Sequence, residues 1–125
     1  MSNLETIYNG IMDENTAKRN ALIAERDEFE KKWLKRTKEF FEKIKFLNDK
    51  GFGLYISVKD KKGWSPYPNA KSILIRSKRT HGWISVWEDG TIVNDGCCGV
   101  DTCLGGKKYR TIEEFIKDIA KANCR

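Results

Sequence analysis

Between Glu14 and Asn48 the chain contains neither glycine nor proline, the two residues that most disfavour a helix interior. Leu22, Phe29, Trp33, Phe40, Ile44 and Leu47 recur there at mostly three-, four- or seven-residue steps. That spacing gathers them on one stripe of an α-helix, with charges on the other faces. Asp27–Lys31, Glu28–Lys32 and Glu39–Lys43 are acid-first i,i+4 pairs that support it. Lys50-Gly51 supplies a stop. About 35 residues at 1.5 Å each span roughly 50 Å, against roughly 30 Å for a compact domain of this size. Part of the helix must therefore project or bend. A projecting apolar stripe calls for a partner, and a homodimer or higher homo-oligomer is expected. The alternative is a kinked helix folded back on its own sheet. Upstream, Leu4, Ile7, Tyr8, Ile11 and Met12 have helical spacing, although Asn9-Gly10 is expected to limit them to a short amphipathic turn or two.

The second half reads as strands. Asp89-Gly90 lies between Trp83–Glu88 and Thr91–Asn94, and Asp-Gly signals a two-residue turn with φ > 0 at both positions. Ile84 and Val86 point to one side of the strand, and Trp83, Ser85 and Trp87 to the other. Phe52 to Asp60 alternates Leu54, Ile56 and Val58 with Tyr55, Ser57 and Lys59. Ser72 to Lys78 places Ile73 and Ile75 inward, with Leu74, Arg76 and Lys78 outward. Thr111 and Glu114 form a capping box for a closing helix striped by Ile112, Phe115, Ile116 and Ile119. The predicted fold is α+β: a long N-terminal helix, a four-stranded antiparallel meander, and a C-terminal helix packed on the sheet. Residues 1–50 form the helical, oligomerising segment and residues 51–125 the ligand-binding core, within one structural domain.

The net charge of +6 is unevenly distributed. From Ser57 to Gly82 stand seven basic residues (Lys59, Lys61, Lys62, Lys71, Arg76, Lys78 and Arg79) against Asp60 alone, and the remainder balances. An anionic partner met by the sheet is the functional reading; a solvated lysine-rich loop is the plain one. No apolar run reaches the ~20 residues of a membrane span. The first ten residues lack a basic start and an apolar core, so a cytoplasmic protein without a signal peptide is expected.

Little points to catalysis. The chain has one histidine, His81, and no nucleophile elbow or paired-carboxylate motif. The glycine-rich stretch Asp95 to Lys108 lacks the Walker pattern, and no cofactor is expected. It reads as a connector or as a wrap of backbone amides around a ligand. Cys97, Cys98, Cys103 and Cys124 lack paired Cys-x-x-Cys spacing, so reduced thiols are favoured over a metal site. Trp64 and Tyr67 either anchor the loop to the core or wall a pocket.

A binding module is therefore expected, with two candidate ligands. For a small nucleotide, Trp83 or Trp87 would stack on the base while Arg76, Lys78 and Arg110 neutralise phosphate. Asn94 would read a base edge or ribose, and Tyr109 sits beside Arg110 where a loop meets a helix N-terminus. For a nucleic acid, the element order matches a double-stranded-RNA-binding domain, but Glu113-Glu114 stand where that family carries basic residues. A third class is an inhibitor that blocks a host protein through its surface.

The long charged helix Glu14–Asn48, the segment GWISVWEDGTIVNDG (Gly82–Gly96) and the closing YRTIEEFIKDIAK (Tyr109–Lys121) together resemble the phage-encoded Thoeris anti-defence sponge family. The resemblance implies a phage protein acting in the bacterial host cytoplasm. It would sequester, without cleaving it, a cyclic ADP-ribose isomer made by a TIR-domain enzyme. It further implies pockets where protomers meet, with Trp83 for the stack, Asn94 for polar readout and Arg110 for phosphate. The Cys97-Cys98 loop has no counterpart in that pattern.

Overall fold

A computed structural model describes residues 2–58, 65–78, 80–94, 102–103 and 106–123, apart from the side chains of residues 102, 103 and 123. Helix α1 (Asn3–Ile44) is a single 42-residue helix. It begins earlier than the apolar stripe alone suggests. Ser2 is the N-cap, its hydroxyl accepting from the Glu5 amide at 3.2 Å, so Asn9-Gly10 stays helical inside an already capped segment. A 3-10 turn (Lys45–Lys50) follows and ends at Gly51, whose φ of 90° needs no Cβ penalty.

The sheet contains β1 (Gly53–Val58), β2 (Lys71–Arg76), β3 (Thr80–Val86) and β4 (Ile92–Asn94) as an antiparallel meander. Two elements extend the predicted four strands. The short β6 (Lys108–Tyr109) pairs antiparallel with β4, and β5 (Thr102–Cys103) runs parallel to the start of β3. Each is two residues long, below the length at which alternation is visible in a sequence. Helix α2 (Ile112–Asn123) closes the chain, its Glu114 amide donating to Thr111 Oγ1 at 3.2 Å.

Both helices cover one face of the sheet. Ile73, Ile75, Ile84, Val86 and Ile92 meet Phe40, Ile44 and Leu47 of α1 and Phe115 and Ile119 of α2 in one buried cluster. Phe40 and Phe115 join the two helices, with ring centroids 5.6 Å apart. The core therefore spans both sides of residue 50. Polar contacts fix the second half of α1: Arg26 donates to the Ser65 carbonyl at 3.0 Å, Glu30 accepts from the Asn69 amide at 2.7 Å, and Arg36 donates to the Val86 carbonyl at 3.3 Å. Residues 2–22 are all exposed, so the first half of the helix overhangs the body.

The β3–β4 turn also differs from the predicted form. Gly90 has φ 88°, but no non-glycine residue among those described has positive φ. The Gly90 amide donates to the Trp87 carbonyl at 3.0 Å, and the Trp87 amide to the Thr91 carbonyl at 2.9 Å. This is a longer turn with one glycine in the left-handed region, as in hairpins that close through a bulge. Asp89 keeps negative φ and accepts from the Thr91 amide at 2.9 Å. That bond holds its carboxyl below the usual carboxylate range.

Candidate functional site

Among the described residues no helix covers the outer face of the sheet. Register places Tyr55 opposite Leu74, and Leu74 opposite Trp83, so three large side chains form a row across β1, β2 and β3. Tyr55 is 58% exposed and Trp83 44%. Ser57 pairs with Ser72 in the adjoining row. Tyr55, Ser57, Ser72, Leu74 and Trp83, closed at one end by Asn69-Ala70, line a shallow groove of about 340 Å³. Leu74 lies between the two aromatic rings, and Ser57 and Ser72 beside that row form a floor of small hydroxyl residues, which leaves room for a flat group to lie against a ring. On the other side of the aromatic row, Arg76 pairs with His81, whose ring lies 6.2 Å from that of Trp83. Lys78, in the β2–β3 turn, is exposed. Arg76 follows Leu74 on the same face, just beyond the groove, where an anion attached to a stacked ring would fall.

The remaining predicted site residues separate into different places. Trp87 is 43% exposed but leaves the sheet at the β3–β4 turn. It lines a second groove, of about 440 Å³, with Phe29, Trp33 and Arg36 of α1. The Lys108 ammonium also sits 4.9 Å above its ring. Trp83 and Trp87 are four residues apart, up to about 13 Å along an extended chain, so they do not form one stack. Arg110 is exposed at the start of α2, its amide held by Glu114 at 3.0 Å, and Glu113 and Glu114 occupy the helix's first turn.

Two predicted contacts are corrected. Asn94 is fully buried. It pairs with Ile84 on the inner face, and its Oδ1 accepts from the Trp83 amide at 3.2 Å. Gly82 leaves the space: a Cβ there would lie 2.4 Å from Asn94 Nδ2. Asn94 thus sets the β3 backbone beneath Trp83 and cannot read a ligand on the outer face. Tyr109 is 6% exposed. Its ring packs edge-on to Phe115 at 5.5 Å and its hydroxyl donates to Asp118 at 2.5 Å. Burial, and then the Asp118 carboxylate, hold the phenol well above its ordinary pKa. Asn94 is expected at the ligand for its paired donor and acceptor, and Tyr109 for its place before a helix N-terminus; neither argument fixes the face, which depends on register with the neighbouring strand.

The basic cluster is also redistributed. Lys71 is 2% exposed and its ammonium lies 3.7 Å from Glu30, on the helix side of the sheet. It contributes nothing to the outer face. Lys59, Lys61, Lys62, Arg79 and Trp64 lie outside the described residues, as do Cys97, Cys98, Cys124 and the Cys103 side chain. Tyr67 is 77% exposed and stands away from the core. Among the described residues no group of three His, Cys, Asp or Glu side chains could hold a metal, and no helix is long and apolar enough to cross a membrane. Sequence reasoning noted Tyr55 only as part of an aromatic outward face. Its registry with Leu74 and Trp83 needed the strand order.

No protein-family model matches the chain, and neither a curated protein nor a solved structure is detectably similar to it.

Proposed function

We propose that this protein is a non-catalytic binding protein that captures a small nucleotide on the outer face of its sheet. The ligand class is a cyclic ADP-ribose isomer, held intact so that TIR-dependent Thoeris immunity is not triggered. The observation that carries the reading is the row Tyr55–Leu74–Trp83 on a face no described helix covers, with Arg76 directly beyond it. In it Trp83 stacks on the base, Tyr55 walls the opposite side, and Arg76 and Lys78 meet the diphosphate. The serine floor offers hydroxyls to the ribose. The ligand class itself comes from the resemblance of the helix, hairpin and closing-helix segments. The groove is shallow, and a tightly held ligand needs most of its surface enclosed, so tight capture in this reading requires a second wall from another protomer.

The test is to incubate the protein with a cyclic ADP-ribose isomer, filter away free ligand, and denature the protein by heat. Intact ligand released only after heating supports capture. A cleaved product, or none, overturns it.

One observation favours a second reading. An open antiparallel sheet carrying aromatic rings and basic residues is also how single-stranded nucleic acid is held. Binding to an oligonucleotide that falls steeply with salt would favour it.

A further inference from the structure

The exposed half of α1 has the chemistry of an interface. Leu4 (78%), Tyr8 (63%), Ile11 (53%), Leu22 (42%) and Phe29 (37%) are all exposed. They lie on the face that, about three to four turns past Phe29, packs Phe40 and Ile44 into the core. A helix of mostly charged residues that buries nothing is marginal in water, since tertiary packing supplies most helical stability. Here Leu4, Tyr8 and Ile11 at one end of the overhang and Leu22 and Phe29 at the other stand on one exposed face, with Asn15, Lys18 and Glu25 between them.

We propose that this overhang pairs antiparallel with the same stretch of a second copy, in a register where the numbers of facing residues sum to 33. In that register Leu4 meets the partner copy's Phe29, and Ile11 meets its Leu22, each twice by symmetry. Tyr8 opposes Glu25, and Asn15 opposes Lys18. The paired segment, residues 4 to 29, is about 39 Å long.

Two observations set the occupant and its direction. The first is charge. Lys18 stands on the facing side and Glu14, four residues before it, on the adjoining flank, and neither has an ion-pair partner among the described residues. A perpendicular two-fold axis keeps each flank facing itself, so Glu14 of each chain lies beside Lys18 of the other and the four charges alternate in sign. The second is space. From residue 26 on, the adjoining flank of the helix is held by the chain's own segment entering β2, through Arg26–Ser65 and Glu30–Asn69, and further along the face itself packs on the sheet through Phe40 and Ile44. A parallel partner continuing along that face would run into the sheet. An antiparallel one brings the capped start of its helix, Asn3 with the Ser2 N-cap, to that point. This pairing stands on α1 alone and does not depend on the nucleotide reading.

The test is native mass spectrometry and sedimentation of the full chain across micromolar concentrations, with circular dichroism as the folding control. The wild type should be a dimer and Ile11→Asp a folded monomer. Glu14→Lys and Lys18→Glu, which place like charges around the axis, should each weaken self-association by about ten-fold. Mixed together, those two variants should recover wild-type affinity as a heterodimer, since every contact at the axis is again opposite in sign. A monomeric wild type overturns the proposal. So does a dimer that Ile11→Asp leaves intact, or a mixture no tighter than its parts, which would signify another surface or a parallel pair.

Discussion

Trp83 and Asn94 occupy the two sides of one stretch of strand, and their roles follow from which side each faces. Trp83 is half in solvent, so Trp83→Ala should leave stability nearly unchanged. It should remove about 1–3 kcal/mol of ligand binding, the usual worth of a ring stacked on a base, readable by titration calorimetry against a cyclic ADP-ribose probe. Gly82→Ala acts from beneath. Its Cβ would fall 2.4 Å from the Asn94 amide nitrogen, in a fully buried place, and urea unfolding should show a loss of about 1–3 kcal/mol. Tyr109 belongs to the same interior. Its phenol has a higher pKa folded than the ordinary 10.0. A group of that kind contributes stability that is complete below the unfolded value and is lost as pH rises toward the folded one. The wild type should therefore lose stability from about pH 9 to about pH 11, and Tyr109→Phe should lose less over the same range in denaturant melts.

At the scale of elements, α1 does two jobs along its length. Its second half is fixed to the sheet by packing and by Glu30, which accepts from Asn69 and faces the buried Lys71 ammonium at 3.7 Å. Glu30→Ala removes both partners at once. A loss of about 1.5–3 kcal/mol is expected from a hydrogen bond and charge left without compensation in a site 2% exposed on the lysine side. Glu30→Gln, which can still accept from Asn69, should cost less in the same chemical melt. The first half has no such fixings, and its exposed apolar residues lie on the same face as the packed ones. The lysine-rich composition of the strand region was legible in the sequence, but the turning of Lys71 away from the outer face was not. Lys71 begins β2 on the same side as Ile73 and Ile75, and only the helix lying over that side provides Glu30.

For the whole molecule, the discriminating quantity is the salt dependence of binding. A compact ligand with two phosphates releases few counterions, whereas a polynucleotide engaging 6–10 phosphates loses roughly 10³–10⁵ in affinity between about 50 and 200 mM salt. A nucleotide-capturing protein should therefore show a shallow slope in a fluorescence titration following Trp83, and a nucleic-acid binder a steep one.

The sequence by itself determined the elements: the long helix from its unbroken apolar stripe, three of the strands and the β3–β4 hairpin from alternation and Asp-Gly, and the capped closing helix from Thr111 and Glu114. It also carried the outward set of Trp83, Leu74, Arg76 and Tyr55, because period-2 alternation is a local property of the chain. What only the tertiary structure decided was adjacency. Strand register put Tyr55, Leu74 and Trp83 in one row, separated Trp87 from them, and turned Asn94 and Tyr109 into the core. Register depends on backbone hydrogen bonds between residues distant in sequence, and a one-residue change in it exchanges the faces of a whole strand.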